Sequence, residues 1–137
     1  NKIYPKRLSF DVKLLFLVRD LRNACAHNNC LIHNLRADYH SKPNPTLLRQ
    51  IQTIQIISKR VRNAKLKNKP VHDFVCLLFV YPLIVKSERL KKMRKNELIM
   101  LIRKRMIKYA NYYNKNDAIK TTYMFIRKIL FKFIKDY

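Results

Sequence analysis

The chain has 137 residues, enough for one modest hydrophobic core and too few to expect two domains of ordinary size. It contains no glycine, so it has neither a Walker phosphate-binding loop nor a GxGxxG dinucleotide fingerprint, which excludes ATPase, kinase and Rossmann dehydrogenase classes. Its 31 Lys and Arg residues against 8 Asp and Glu give a formal net charge of +23. Part of this excess fits an AT-rich genome that accumulates lysine, but charge on this scale favours phosphate backbones whatever its origin.

The cysteine pattern and the hydropathy indicate where the protein works. The three cysteines are an odd number at irregular spacing, which does not indicate a disulfide framework; they are Cys25, Cys30 and Cys76. No signal peptide is visible, and the longest apolar run, residues 74–85, is too short to span a bilayer. We therefore expect a cytoplasmic protein with no membrane association and with this run as buried core.

The absence of glycine also favours helices, because hairpin turns and sheet bulges need residues that tolerate positive φ. We expect an all-α fold, a bundle of about five helices, with residues 1–137 forming a single domain. The chain begins Asn-Lys-Ile without a methionine, which suggests the C-terminal part of a longer protein.

The first two helices are predicted from apolar residues that recur at helical spacing. The first is expected from Ser9, its cap, to about Asn29. After the turn-forming segment 35–45, Asn44 followed by Pro45 starts a second helix. Its apolar stripe is expected to continue without a break, with the basic residues around it, including Arg62, outside; it consists of Leu47, Leu48, Ile51, Ile54, Ile57 and Val61.

Residues 65–69 are predicted to form a basic linker. Pro70 is predicted to start a third helix, which is apolar nearly all round from Phe74 onward. This helix should be central. His72 and the following Asp73 are expected to stabilise the start of this helix.

The last helix is expected from Asp117 to the C-terminus. Its inward residues are predicted to be Ile119, Tyr123, Ile126, Leu130, Phe133 and Ile134.

The segment 86–108 between them is strongly cationic, with ten Lys or Arg residues opposed only by Glu88 and Glu97. Asn96 is predicted to cap a fourth helix here. Its inward residues are expected to be Leu98, Leu101, Ile102, Met106 and Tyr109. The candidate RNA-binding residues of its outer face are Lys91, Lys92, Arg94, Lys95, Arg103, Lys104, Arg105 and Lys108.

A guanidinium, an amide and an imidazole lie near the end of the first helix, in the sequence Arg22-Asn23-Ala24-Cys25-Ala26-His27. Asn23 and His27 are four residues apart and share a helix face, and the long side chain of Arg22 can converge on them. RNA cleavage without a metal needs a group that moves a proton near neutral pH and a fixed cation for the charge on phosphorus. These three residues are therefore candidate catalytic residues.

The sequence RNACAHNN, residues 22–29, at the end of a hydrophobic helix, resembles the RNxxAHN signature of the abortive-infection (Abi) family, a branch of the HEPN superfamily of helical ribonucleases. The apolar helix that begins around His72-Asp73-Phe74 is also similar to the layout of that family. The resemblance implies a HEPN-like bundle that cleaves RNA without a cofactor, leaves a 2′,3′-cyclic phosphate and acts as a phage-defence toxin under an antitoxin or other regulator. It implies that His27 handles a proton, Arg22 stabilises the transition state and Asn23 orients His27 or the phosphate. Because HEPN nucleases combine two motif copies and this chain has one, it also implies a homodimer.

Other interpretations remain open for these residues. The motif could be a polar helix end in which Arg22 pairs with Asp20 or Asp38, within a non-catalytic basic protein that binds a regulatory RNA. A chain that completes its fold with a second chain is a third possibility. Zinc is disfavoured because the Cys and His residues near the motif would not converge on a continuous helix and form no CxxC pair; these are Cys25, His27, Cys30 and His33.

The tyrosines near the basic segment have two interpretations as well. They could stack RNA bases beside a phosphate-binding groove, or form the edges of an amphipathic core, which we expect for most of them; they are Tyr109, Tyr112, Tyr113 and Tyr123. A basic helix can also lie on an anionic membrane, but the chain has no Trp and no lipidation signal, so RNA is the expected partner.

Overall fold

The computed structural model describes residues 12–33, 35 and 42–135, with the backbone alone for 133–135. Over these residues the fold is all-α, as predicted. Its helices are α1 (Lys13–Ala26), α2 (Pro45–Gln52), α3 (Lys59–Leu66), α4 (Lys69–Ile84), α5 (Glu88–Met100), α6 (Met106–Lys108) and α7 (Asp117–Lys135). A π-helical turn, Leu101–Arg105, joins α5 to α6, and a 3₁₀ turn, Ala110–Tyr112, precedes α7.

Helix α4 lies at the centre of the described part of the chain and packs against α1, α3 and α7. Its buried residues are Val71, His72, Asp73, Val75, Cys76, Leu78 and Val80. The prediction of a central third helix is therefore confirmed, and so is the prediction that its apolar run is core. No helix among the described residues is long and apolar enough to cross a bilayer.

Helices α1 and α4 pack in antiparallel orientation. The Cys76 thiol donates a hydrogen bond to the carbonyl of Leu14 over 3.4 Å. Further along α1, a carboxylate oxygen of Asp20 lies 3.7 Å from the amine of Lys69. Because the later residue of α1 meets the earlier residue of α4, the C-terminal end of α1 lies beside the first turn of α4.

Side-chain caps define where several helices begin. The Asn44 Oδ1 atom accepts hydrogen bonds from the backbone of Thr46 and Leu47, and Pro45 is the first residue of α2, as predicted. Ser87 caps α5 by accepting from the backbone N–H of Leu90. The prediction that Asn96 caps this helix was wrong, because the helix starts eight residues earlier at Glu88. Ser9, the predicted cap of the first helix, lies outside the described residues.

The prediction of one continuous second helix was wrong. Helix α2 ends at Gln52, and α3 starts at Lys59, where Ser58 accepts a hydrogen bond from the backbone of Val61. Ile54 and Ile57 still reach the core, but they do so from the turn between the two helices. The apolar spacing therefore reflects burial of the turn rather than one unbroken helix.

The new register of α3 changes which of its side chains are inside. Val61, expected in the stripe, is 42% exposed, and Arg62, expected outside, is buried. The predicted linker 65–69 is also shorter than expected, because α3 extends to Leu66 and α4 already begins at Lys69.

The inward face of the fourth predicted helix was only partly right. Ile102 is buried and Leu98 packs against the core, whereas Leu101 and Tyr109 are more than 40% exposed. The π-helical turn, Leu101–Arg105, adds a residue to the local repeat, so Tyr109, which follows it, is rotated away from the predicted face.

The last helix, α7, runs from Asp117 to Lys135, close to the prediction. Ile126 and Leu130 are buried as expected, and Phe125 and Ile129 are buried even more completely. The side chains of residues 133 and 134, predicted to face inward, lie outside the described part of the structure.

A buried polar cluster joins the start of α2 to the first turn of α4. The Nε2 atom of His72 accepts a hydrogen bond of 3.0 Å from the backbone N–H of Asn44. This acceptor role assigns the imidazole proton to Nδ1, which donates to Asp73 over 3.1 Å. The other carboxylate oxygen of Asp73 lies 2.6 Å from the amine of Lys69. Because both nitrogens of His72 are engaged, this histidine holds two helices together.

We expect His72→Ala to lower the free energy of unfolding by about 1 to 3 kcal/mol, because it leaves the buried N–H of Asn44 and a carboxylate oxygen of Asp73 without their partner. Urea titration followed by circular dichroism measures this change. The matched control is His33→Ala, which removes an exposed imidazole and should change stability by less than about 0.5 kcal/mol. Equal stability of the two variants would contradict the structural role of His72.

We also expect one of the three thiols to resist alkylation. Burial, and secondly the nearby carboxylate of Asp73, raise the pKa of the Cys76 thiol to about 12, so it stays protonated well above neutral pH. Cys25 and Cys30 are exposed. With N-ethylmaleimide at pH 8, mass spectrometry should show these two modified rapidly and Cys76 modified only after unfolding. Rapid modification of Cys76 in the folded protein would contradict the packing of α1 on α4.

Candidate functional site

The three motif residues lie at the C-terminal end of α1. Arg22 and Asn23 are in its last turns, and His27 is the residue that caps it. The side chains of Arg22 and His27 are exposed, and that of Asn23 is half-buried. The backbone N–H of His27 donates to the carbonyl of Asn23 over 3.0 Å, so these residues still follow the helical repeat. The structure therefore brings all three to one helix end, as predicted.

The chain leaves α1 directly after His27 through a well-defined helix stop. Asn28 has a φ of 53°, the left-handed conformation that glycine usually adopts at this position. Its N–H donates to Cys25 over 3.1 Å, and that of Asn29 donates to Ala24 over 2.9 Å. These two bonds form a Schellman motif. The asparagine after the histidine thus has a structural task, which is to end the helix and fix the backbone at His27.

The motif side chains are available for a ligand. Within the part of the chain that the structure describes, no residue makes a hydrogen bond or ion pair with the side chains of Arg22, Asn23 or His27. The alternative in which Arg22 pairs with Asp20 is not observed, because Asp20 contacts Arg19 and Lys69 instead. Asp38, the other proposed partner, lies outside the described residues.

The motif continues an exposed face of α1. At about 100° per residue, Phe16, Asn23 and His27 lie within about 40° of one another around the helix. The buried residues of α1, Leu14 and Leu21, lie on the opposite side. Phe16 is 51% exposed, and its ring carries the guanidinium of Arg19 at 5.0 Å. The face that bears Asn23 and His27 thus combines apolar and cationic side chains, and Arg22 lies about 100° around the helix from Asn23.

The predicted RNA-binding residues do not form one uniform surface. Four of them line a groove between α4, α5 and α7, namely Lys91, Arg94, Lys95 and Arg105. Lys91 pairs with the carboxylate of Glu88 at 2.8 Å, and Arg94 pairs with that of Glu97 at 2.6 Å. The hydrogen bonds to Glu97, together with its charge, raise the pKa of Arg94.

The other four predicted residues, Lys92, Arg103, Lys104 and Lys108, do not line this groove. All four are exposed. The guanidinium of Arg103 lies 4.7 Å from the ring centre of Phe131, and the amine of Lys108 lies 5.3 Å from that of Tyr109. Cations held over aromatic rings remain available to phosphate on their outer side.

The motif and the groove lie on different sides of α4. Lys69 and Cys76 mark the side that faces α1, whereas Phe74 and Leu78 line the groove. At about 100° per residue, these two sides are about 160° apart. The structure therefore does not combine the candidate catalytic residues and the groove cations in one site.

The sequence did not identify Arg127 as part of the basic surface. Its guanidinium lies 5.6 Å from the ring centre of Phe131, the same ring that carries Arg103. The two cations come from segments more than 20 residues apart. Each looks like an ordinary outward-facing residue in its own helix, so no local signal could reveal that they share a ring.

The tyrosines divide into two pairs. The hydroxyl of Tyr123 donates to the carbonyl of Ile102 over 2.9 Å, and that of Tyr113 donates to Met106 over 3.4 Å. Tyr109 and Tyr112 are exposed, with ring centres 6.3 Å apart. The first pair supports the packing of α7 and the π-helical turn, and only the second pair presents rings that a base could stack on.

Metal ligands do not gather in the described part of the chain. No group of three or more His, Cys, Asp or Glu residues there could hold a metal ion, and this includes the cysteines and histidines around His27. Comparison with family models, with curated proteins and with solved structures found no match to this chain. The function is therefore inferred from the residues of the chain itself.

We expect Asn28 to be sensitive to the shape of its replacement. Asn28→Val should lower the free energy of unfolding by about 1 to 2 kcal/mol, because a β-branched residue is strained at positive φ. Asn28→Gly, the matched control, should stay within about 0.5 kcal/mol of the wild type. Thermal and urea unfolding measure both. Equal stability of the valine and glycine variants would show that α1 does not end in this conformation.

Proposed function

We propose that the protein is a metal-independent endoribonuclease of the Abi/HEPN kind, with Arg22, Asn23 and His27 at its catalytic centre. The observation that carries the proposal is that the three side chains lie at one exposed helix end and have no side-chain partner among the described residues. Buried polar residues with a structural task satisfy their hydrogen bonds internally, as the His72 cluster does. The motif side chains are instead exposed or half-buried, so a ligand can reach them.

The proposed reaction is transfer of a phosphoryl group within the RNA. The 2′-oxygen of a ribose attacks its adjacent phosphorus, the bond from phosphorus to the 5′-oxygen breaks, and the products end in a 2′,3′-cyclic phosphate and a 5′-hydroxyl. One proton must leave the 2′-hydroxyl and one must reach the 5′-oxygen. The imidazole of His27 can accept the first proton or donate the second, and the guanidinium of Arg22 neutralises the charge that develops on the phosphate. Asn23 orients the imidazole or the phosphate.

A homodimer would supply both proton-transfer groups. One chain contributes one His27, whereas the reaction uses a base and an acid. Leu15 and Phe16 are exposed on α1 close to the motif face, and covering them with a second copy would bury apolar surface next to the site. In such a pair, two α1 helices would bring two motifs towards one RNA strand.

The biological role that fits this activity is that of an abortive-infection toxin, active in the cytoplasm and stopping growth by cutting cellular RNA. An antitoxin or other regulator would hold it inactive until infection. This role comes from the resemblance of residues 22–29 to the Abi signature.

A second candidate is a non-catalytic protein that binds a regulatory RNA through its basic helices. The observation that favours it is the position of the cations on α5 and the π-helical turn, on a different side of α4 from the motif. Arg103 and Arg127, which share the ring of Phe131, would contact phosphates in either case. The two candidates differ in whether His27 is needed for the cellular effect.

We expect purified protein to cleave RNA in the presence of EDTA, because no step of the proposed reaction uses a metal ion. Arg22→Ala and His27→Ala should each lower the cleavage rate by about 100-fold or more. End-labelled RNA measures the rate, and analysis of the product ends should show cyclic phosphates.

Two matched variants test whether removing any guanidinium or any imidazole has the same effect as Arg22→Ala or His27→Ala. Arg49→Ala removes an exposed guanidinium at the surface of α2, and His33→Ala removes an exposed imidazole shortly after α1. Both should retain cleavage within about threefold, since neither belongs to the proposed centre. Tight RNA binding without cleavage by the wild type would favour the second candidate, and cleavage that needs added Mg²⁺ would contradict the first.

A further inference from the structure

The groove between α4, α5 and α7 is large and mainly apolar. Its volume is about 760 Å³, within the range of sites that hold ligands. The wall from α4 is formed by Phe74, Leu77, Leu78 and Tyr81, and Leu130 of α7 contributes to the lining. None of the residues proposed for catalysis lines it. The groove is therefore a separate surface whose apolar lining calls for an apolar occupant.

The wall from α5 and the π-helical turn has a defined order of charge. Lys91, Arg94 and Lys95 lie at one end, Leu98 and Leu101 lie in the middle, and Arg105 lies at the other end. At 1.5 Å per residue, Lys91 and Arg105 are about 21 Å apart along the helix. Glu97 is the carboxylate among the lining residues, so the groove keeps an excess of positive charge.

We propose that this groove binds an acidic amphipathic helix of a partner protein. The middle of such a helix places Leu-like side chains against the apolar wall, and its acidic residues meet the cations at both ends of the groove. A length of about 21 Å corresponds to a helix of about 14 residues. Laying an amphipathic helix into an apolar groove is an established mode of peptide recognition.

The arrangement of charge disfavours two other occupants. A fatty acid or other amphiphile with one anionic headgroup would match only one end of a groove that carries basic residues at both ends. An RNA strand would match the cations along its length, but five leucines make much of the lining aliphatic, and aliphatic surface gives bases little to stack on. A helix with apolar residues in its middle and acidic residues towards both ends matches the apolar middle of the groove and the cations at its two ends.

The test uses a fluorescein-labelled synthetic peptide of about 15 residues, with Leu at helical spacing in its centre and Glu towards both ends. Its binding to the full chain is followed by fluorescence anisotropy. Arg105→Glu and Leu101→Asn alter two groove positions and should each weaken binding by about tenfold or more. Both residues are exposed, so the variants should keep the helical circular dichroism and melting temperature of the wild type.

The matched controls are Lys104→Glu and Leu90→Asn. They make the same changes on exposed residues of the same segment that do not line the groove, and they should leave the affinity within about twofold. A scrambled peptide of the same composition should bind at least about tenfold more weakly than the patterned one.

Three outcomes would overturn the proposal. The first is that the scrambled peptide binds as tightly as the patterned one, or that Lys104→Glu weakens binding as much as Arg105→Glu. Either result would show that the peptide is held by attraction between charges alone and not by the groove. Failure of the patterned peptide to bind while dodecanoate binds with sensitivity to Leu101→Asn would make the groove a site for small amphiphiles. Displacement of the peptide by a short single-stranded RNA, with the same sensitivity to Arg105→Glu and Leu101→Asn, would make it part of the RNA surface.

Discussion

The burial of α4 is the constraint on which the described structure depends. Its apolar residues need partners on several sides, and α1, α3 and α7 supply them. His72 accepts a hydrogen bond from Asn44 and donates one to Asp73. These bonds fix the start of α2 against the first turn of α4. Two surfaces follow from this arrangement. One is the exposed face of α1, and the other is the groove that α5 forms with α4 and α7.

These two surfaces divide the proposed functions of the protein between them. The exposed side of α1 carries Asn23 and His27, with Arg22 beside them, and the helix ends in a Schellman motif that fixes the backbone at His27. The groove carries apolar side chains between cations and is suited to an acidic helix. Since α4 separates the surfaces, a partner in the groove would influence RNA cleavage through the packing of α4 or through competition for basic surface, rather than by covering His27.

The sequence predicted the parts of the fold that depend on strong local signals. Asn44 with Pro45 started α2 as expected, and the apolar run after Phe74 became the core of α4. The break between α2 and α3 could not be predicted, because Ile54 and Ile57 keep helical spacing although tertiary burial of a turn places them in the core. The residues of the candidate site were likewise predicted only where the signal is local in the sequence. The motif on α1 is local and was found, whereas Arg127 joins Arg103 only through the packing of α7 on the π-helical turn.

In the proposed mechanism the RNA supplies the nucleophile, its own 2′-hydroxyl, at a site built around His27. A sharp test is cleavage of an RNA that carries one 2′-O-methyl group at a mapped cleavage position, compared with the unmodified RNA in the same EDTA buffer. Cleavage is expected to disappear at that phosphate alone, with binding and the other cleavage positions unchanged. Continued cleavage at the methylated position would contradict it, because the attacking oxygen would then have to come from water or from the protein.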